Sequence, residues 1–508
     1  MKNDAINPHV CPLAHARNAM SIAALRTLVI LLTLSIYTVL SMDLITNVQG
    51  LVAYTVLLTG YLSVEIKNLW ARETHLFWIN PVVLASLFTF VLAFGVSNVL
   101  FFMPEDVLEV VGLEPIVTPW MNQLMLLVML GALAMWLGYD SGIGRRLGRM
   151  LQISRFLHQW MTTSTRVNRP ALYVCIAISL VARLLMIKLG VYGYSSNFNQ
   201  LIAGAAYTQY LLMAESLGEI ALLGLAIQCF ASARSTLFNR QLLTLVLGYE
   251  VLFGFLSGFK SQVVIPFIIV GLVYYSQRHR VPWIVIPAVV LGLFAAYAVI
   301  EPFRDARNQD AGFEGTSVEG IGQTMISASS EPGAEEEGAG TALSILSRLN
   351  LTYVASRGLE YAATTAPPEG SPDFLGDIIL APAHALIPRF LWKNKPLHVS
   401  GLWYTVEVIG VDVYSSTAMS PFTYLNFAGG PLAVVLGFFS VGIIQRGLFD
   451  GLRGFGGGGL IVLLGLLGVL TNIDSTFNAF PTAIIRIFPL MVIAQYVLLS
   501  RPRPLSMD

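Results

Sequence analysis

Side-chain charge is what this sequence has least of. Asp, Glu, Lys and Arg make up 12% of its 508 residues, against 55% apolar. An ordinary soluble domain carries about twice that share of charge. A water-soluble globular class is thereby excluded, and length alone says nothing about the number of domains. The 30 basic and 30 acidic side chains cancel, so no whole-chain field favours a nucleic-acid partner. Cysteine is scarce too. Cys11, Cys175 and Cys229 lie far apart, with no pair at metal-ligand spacing, and the last two sit in apolar runs where a thiol acts as a small hydrophobe. There is no Asp-x-Asp, His-Glu-x-x-His, Cys/His cluster, Gly-x-Ser-x-Gly or Walker-type loop. The expectation is therefore of a protein with no metal site and no cofactor.

What the sequence does have is long apolar runs, with a mean hydropathy of +0.68. Windows of about twenty residues with almost no charge are long enough to cross a bilayer. They fall at roughly 24–42, 48–65, 80–102, 120–139, 171–189, 207–231, 242–257, 262–276, 281–300, 422–445, 457–474 and 480–499, about twelve in all. The run Leu28 to Leu40 is followed by no small-x-small cleavage site and reads as the first span, not a signal peptide. The expected fold is an all-α polytopic membrane protein in three parts. Residues 1–300 hold about nine helices, 301–421 form one large loop, and 422–508 hold about three helices.

Loop charge orients it. Arg145, Arg146, Arg149, Arg155, Arg166 and Arg169 lie between the fourth and fifth spans. Arg234 and Arg240 follow the sixth, Arg278 and Arg280 the eighth, Arg446 and Arg453 the tenth, and Arg501 and Arg503 close the chain. All fall on one side if both termini are cytoplasmic, as the excess of cations in cytoplasmic loops requires. The connection 103–119 carries Glu105, Asp106, Glu109 and Glu114 with no Lys or Arg, which suits the other side.

The region 301–421 then lies outside. Its stretch EPGAEEEGAG (331–340) is rich in Gly and Glu; Ala342 to Thr365 reads as helix; DIILAPAHALIPRF reads as an amphipathic segment broken by Pro382 and Pro388. Within LIPRFLWKNKPLHVSG (386–401), Arg389, Lys393 and Lys395 crowd among Pro388, Trp392 and Pro396. With Arg304, Arg307, Arg348 and Arg357 they make an external cationic set. The plainer reading is a solvated loop pairing with its own carboxylates. The Pro- and Trp-dense context argues instead for an ordered binding surface. His384 and His398 are isolated, and helix packing or a surface position suits His384.

A second set of charges lies within the spans or at their ends: Arg183, Lys188, Glu215, Glu219, Glu250, Lys260, Asp474 and Arg486. Ionisable groups at such depth face the protein interior or a wet cavity. Internal pairing, such as Glu215 or Glu219 with Arg183 or Lys188, is one reading. Their concentration in the outer half points to the other, an outward-opening cavity lined by both signs. Such a cavity suits a lipid whose head group is anionic, because a guanidinium offers phosphate two parallel hydrogen bonds and keeps its charge when desolvated.

The order SGFKSQ (257–262), a large external loop, SRLNLTYVASRGLEYAA (347–363), LIPRFLWKNKP (386–396) and SPFTYLNFAGG (420–430) resembles the bacterial O-antigen and exopolysaccharide repeat-unit polymerases, the Wzy family. The likeness covers roughly residues 250–445. Its most specific element is Ile387, Pro388, Arg389, Trp392, Lys395 and Pro396, followed by the small-residue run from Asn426 to Gly430. Some family members carry Arg-x10-Gly signatures in external loops. Arg304 with Gly315 keeps that spacing, while Arg389 with Gly401 has eleven residues between.

The resemblance implies a GT-C-like glycosyltransferase of the bacterial inner membrane, with its large loop periplasmic. It would move a growing glycan from undecaprenyl pyrophosphate onto the next lipid-linked repeat unit, without nucleotide sugar and independent of metal. Undecaprenyl-pyrophosphate-linked glycans and the bilayer are the implied partners, with a chain-length regulator and a flippase as further candidates. Arg389, Lys395 and Arg357 are expected at the donor pyrophosphate or its leaving oxygen. Arg304 and Arg307 are expected at the second pyrophosphate or the glycan, with Lys260 supporting either. Glu301, Asp305 and Glu360 are the candidate bases for the acceptor hydroxyl. Trp392, Trp403 and Tyr404 stack on sugars or anchor the interface, and Asn426 is a candidate substrate contact. An O-antigen ligase would share this architecture and donor. A secondary transporter or flippase would show repeats with matching broken helices, and no such repeat is visible.

Overall fold

A computed structural model describes residues 12–499 apart from 74–75, 105–106, 108–115, 162–163, 196–197, 233–235, 310–316, 330–342, 344–345, 366–370, 388–390, 393–394, 397–399, 412–416, 418 and 472–475. It also leaves out the side chains of 12–21, 195, 198–206, 301, 305–309 and 328–329. Among the described residues the chain is helical, with no strand and one isolated antiparallel bridge, Val167 with Leu499. Eight segments among them are long and apolar enough to cross a membrane, and one of these, Pro421–Thr471, contains two helices.

Each segment expected as a span is helical over most of its described residues. The helices are α1 (Pro12–Ser41), α2 (Asn47–Arg72), α3 (Pro81–Phe102), α4 (Pro119–Asp140), α5 (Gly142–Ile153), α6 (Arg155–Trp160), α7 (Arg169–Lys188), α8 (Phe198–Glu215), α9 (Leu217–Ala231), α10 (Leu237–Leu256), α11 (Lys260–Arg278) and α12 (Val285–Gln309). After the short α13 (Val318–Ser329) come α14 (Thr352–Thr364), α15 (Phe374–Ile379), α16 (Ala381–Leu386) and α17 (Ser400–Trp403), the last running on as a wider π-turn over Tyr404–Ile409. The chain ends on α18 (Pro421–Leu452), α19 (Gly456–Thr471) and α20 (Ala479–Leu498).

Prolines punctuate the starts. Pro81, Pro119 and Pro421 each occupy the first turn, where the missing N–H costs nothing. Asn80 and Ser420 cap the helices that follow them by accepting from Val82 and Phe422 backbone N–H groups. Large apolar side chains point out of the bundle, among them Val56, Leu245, Leu291 and Leu432, each about two-thirds exposed. Water would not tolerate so broad an apolar surface; a lipid phase does.

Among the described residues the most extensive helix packing is α18 against α4 and α5. A methyl group on Gly442 would overlap the Met135 carbonyl oxygen, and one on Gly138 the Phe439 carbonyl oxygen. The two backbones therefore touch where both helices lack a Cβ, the packing mode small residues permit in an apolar phase. Beside this seam Phe422 and Phe438 stack at 4.5 Å.

The seam also fixes which helix ends meet. At one rim Arg26 bonds Glu65 at 2.6 Å and reaches Asp140, while Arg446 bonds Asp450 at 2.6 Å and Glu73 at 3.1 Å. These join the middle of α1 to the ends of α2, α4 and α18. The opposite rim carries the 301–421 region. Glu65 is fully buried, so its charge depends on Arg26.

Three elements differ from expectation. The expected helix from Ala342 to Thr365 is interrupted at Asn350, whose side chain accepts from the backbone N–H groups of Thr352 and Tyr353 and so starts α14 afresh. The third span is α-helical only over Pro81–Ala85, widening to a π-helix over Ser86–Gly95 and tightening to 3-10 over Val96–Phe102. The tenth is kinked at Gly429 and Gly430, the latter at φ +68°, just ahead of Pro431.

Gly442→Ala should lower the thermal midpoint of the detergent-solubilised protein through about 1–3 kcal/mol of overpacking. Gly60→Ala, where a Cβ meets nothing within 4 Å, should leave the midpoint unchanged or raise it. Equal midpoints for the two variants would remove the seam from the account.

Candidate functional site

The cations expected at the site separate into two groups. Lys260 opens α11 with its Nζ 3.5 Å above the Tyr297 ring. Arg304, near the end of α12, places its guanidinium 4.0 Å above Tyr194 and 5.9 Å from the Phe259 ring centre. Lys260 and Arg304 thus lie on neighbouring aromatic rings at the rim that carries the large connecting region. Arg304 Nε is buried with no hydrogen-bond partner among the described residues, a costly state for a guanidinium donor unless something accepts from it.

Two glycines build this cage. Gly193 (φ +57°) and Gly258 (φ +68°) adopt backbone that favours glycine, and a Cβ on Gly193 would overlap the Ser257 carbonyl. The two turns dock through Tyr194 N–H donating to Ser257 O at 2.8 Å. That sets the Tyr194 and Phe259 rings edge to face, 6.4 Å apart, beside Arg304. The sequence reading named Lys260, Arg304 and Arg348 but missed Tyr194 and Tyr297. The available signal was the pattern YGY (192–194) and GFK (258–260), in which each glycine is followed by an aromatic.

Arg348 leads into α14, which is pinned to the third helix through Asn98. The fully buried Asn98 accepts from Thr352 Oγ1 at 2.6 Å and Asn350 Nδ2 at 3.2 Å, and donates to Phe94 O at 2.7 Å. Thr423 donates to Ala355 O at 2.9 Å, and the Tyr404 hydroxyl donates to Val354 O. Burial pushes the Tyr404 hydroxyl well above the ordinary tyrosine range, so it stays a donor. Further along α14, Arg357 and Glu360 pair at 3.4 Å, both about 40% exposed. Of the three candidate bases, Glu360 is thus set beside a cation. Glu301, Asp305 and Arg307 lie on the α12 backbone, but their side chains are outside the described residues.

The cationic knot resolves differently. Arg389 and Lys393 lie outside the described residues. Lys395, expected at the substrate, is 7% exposed and donates from Nζ to His384 O at 2.7 Å and Ile387 O at 2.9 Å. Arg486 of α20 donates to His384 O as well, at 2.8 Å. Two cations therefore satisfy the carbonyls at the end of α16, where the helix dipole is negative. The Lys395 ammonium, expected at phosphate, thus has two of its donors on backbone carbonyls. Trp392 packs over the His384 ring at 5.2 Å, which makes His384 a packing residue. Asn426 is half-buried on the short piece of α18 that precedes the kink.

The expected outward cavity lined by Arg183, Glu215 and Glu250 is replaced by a closed cluster. Arg183 bonds Glu250 at 2.6 Å and Glu215 at 3.3 Å, with Arg183 and Glu250 each 3% exposed. Internal pairing is the reading that holds there. Asp474 lies outside the described residues. Among the described residues no group of three or more His, Cys, Asp and Glu is placed to hold a metal ion.

Residues 159–470 match the model of a family described as a domain of unknown function, DUF8712. No curated protein and no solved structure matches the chain.

Lys395→Met should loosen the 381–395 segment, since two charge-assisted hydrogen bonds are worth roughly 1.5–3 kcal/mol each. Hydrogen exchange across α16 should accelerate while α4 and α18 exchange as before. Unchanged exchange in α16 would show that Lys395 does not hold it.

Proposed function

From the premise that this chain belongs to the DUF8712 family, whose model spans most of it, we propose that it is a membrane glycosyltransferase that joins lipid-linked oligosaccharide repeat units. Twelve crossings, both termini cytoplasmic and a GT-C-like arrangement of the inner membrane complete the reading. The 301–421 region is then the periplasmic part. The observation that carries the proposal is that Arg304, beside Lys260 on neighbouring aromatic rings, has a buried Nε with no acceptor among the described residues. Cations at the ends of membrane helices suit a lipid pyrophosphate whose chain stays in the bilayer.

In the reaction the acceptor sugar's hydroxyl oxygen bonds to the donor's anomeric carbon as the bond from that carbon to the pyrophosphate oxygen breaks. The hydroxyl proton passes to a carboxylate, for which Glu360 beside Arg357 is the described candidate. Negative charge develops on the departing pyrophosphate, and Arg304, Arg348 and Lys260 neutralise it there. Arg389, the residue the resemblance points to most directly, joins the same role.

The test is a polymerisation assay with purified protein and lipid-linked repeat unit in EDTA. A glycan ladder is expected from wild type. Arg304→Ala should slow it by about 10²–10³, the cost of one lost oxyanion donor, and Arg304→Lys should recover part of the rate. Transfer to lipid A core in place of a ladder would favour the ligase. No ladder from several authentic repeat units would sink the polymerase reading. A full-rate ladder from both Arg304→Ala and Arg389→Ala would leave the activity standing and remove both arginines from it.

A further inference from the structure

A second site lies at the far end of α14, about 14 Å along the helix from Thr352 to Tyr361 at 1.5 Å per residue. There Phe374, Trp403 and Phe427 close a cavity of about 280 Å³ together with Ser371, Pro372 and Asp373. Phe374 and Phe427 stack at 5.0 Å and 15°, and Trp403 stands edge-on to both at 5.5 and 5.7 Å. Tyr361 of α14 meets Trp403 at 5.9 Å. The cavity exists because α18 kinks at Gly429 and Gly430, which turns the short leading piece bearing Phe427 toward α15.

Its chemistry is unlike that of the cationic cluster. Trp403 Nε1 is buried without a hydrogen-bond partner among the described residues, an indole donor that ordinarily finds an acceptor when buried. Among the described residues the charged residue that lines the cavity is acidic, Asp373. A pyrophosphate would be repelled here. A ligand with an apolar face and hydroxyls to donate to a carboxylate would not. The volume sits at the lower end of small-molecule pockets, enough for a ring or two and not for a whole glycan.

We propose that the cavity between Phe374, Trp403 and Phe427 is a saccharide subsite that takes one pyranose ring of the substrate. The ring's C–H face lies on the aromatics, and its hydroxyls donate to Asp373, whose Oδ1 also accepts from the Gly376 N–H and caps α15. This rests on the glycosyltransferase reading above and deepens it. Cations at the start of α14 and an aromatic, acidic cavity at its end reproduce the polarity of a lipid-pyrophosphate saccharide, anionic at one end and neutral at the other. Arg357 and Glu360 lie between.

The experiment uses full-length protein in nanodiscs with two probes measured separately. One is undecaprenyl pyrophosphate bearing no sugar; the other is a panel of free bacterial repeat-unit oligosaccharides bearing no pyrophosphate. At least one oligosaccharide should bind wild type, and Trp403→Ala should weaken it by about tenfold or more, as expected for loss of an aromatic platform. Trp403→Phe should lose less, and Asp373→Asn should weaken saccharide binding while leaving the thermal midpoint unchanged. Undecaprenyl pyrophosphate should bind all three variants like wild type and fail only with Arg304→Ala. The subsite is overturned if no oligosaccharide binds, or if binding survives Trp403→Ala and Asp373→Asn undiminished. Failure of wild type to bind undecaprenyl pyrophosphate would instead strike the proposed donor site, so the two ideas fail by different results.

Discussion

Backbone contact between α4 and α18 is the constraint from which the other features follow. Gly138 and Gly442 remove the side chains that would hold the two helices apart, so carbonyl oxygens of one helix touch the backbone of the other. In an apolar phase, where burying hydrocarbon gives no advantage, such close packing is a main source of helix association. Because the contact admits little sliding, it sets the height of α18 against its neighbours. One end then brings Arg446 to Glu73 and Asp450. The other brings Thr423 to the Ala355 carbonyl and Phe427 to Phe374.

Buried charge is handled in two ways. At the basic rim and in the Arg183 cluster each cation is matched to carboxylates at hydrogen-bond distance, which is what desolvated ions require. At the other rim Lys260 lies over the Tyr297 ring and Arg304 over the Tyr194 ring, and Arg304 Nε has no acceptor among the described residues. Aromatic faces attract a cation without neutralising it. This contrast within one molecule is why the functional reading rests on Arg304 and not on Arg183.

Helix α14 links the two ends of the proposed site. Its first turn hangs on Asn98 of the irregular third helix, where the change from π to 3-10 geometry occurs. Such irregular turns cost backbone regularity and often accompany function. Here the gain is visible: the Leu351 N–H reaches the Ala93 carbonyl, so the segment that leads into α14 is tied directly to a membrane helix.

Apolar length, proline punctuation and cation-rich connections were legible in the sequence, because each follows from local chemistry that needs no partner. Helices form wherever about twenty apolar residues must satisfy their own backbone, so the expected spans came out helical over most of their described residues. Lys260 and Arg304 could be picked out for the same reason, since a charge beside a span is conspicuous. Their mutual arrangement was not legible, nor was the use of Lys395, which donates to carbonyls at the end of α16. The aromatic cavity was invisible as well, because Tyr361, Phe374, Trp403 and Phe427 are scattered over 66 positions and look like any interfacial aromatics. Which cations face a ligand and which hold the backbone depends on distances between helices distant in the chain, and those were decided only when α4 and α18 closed on each other.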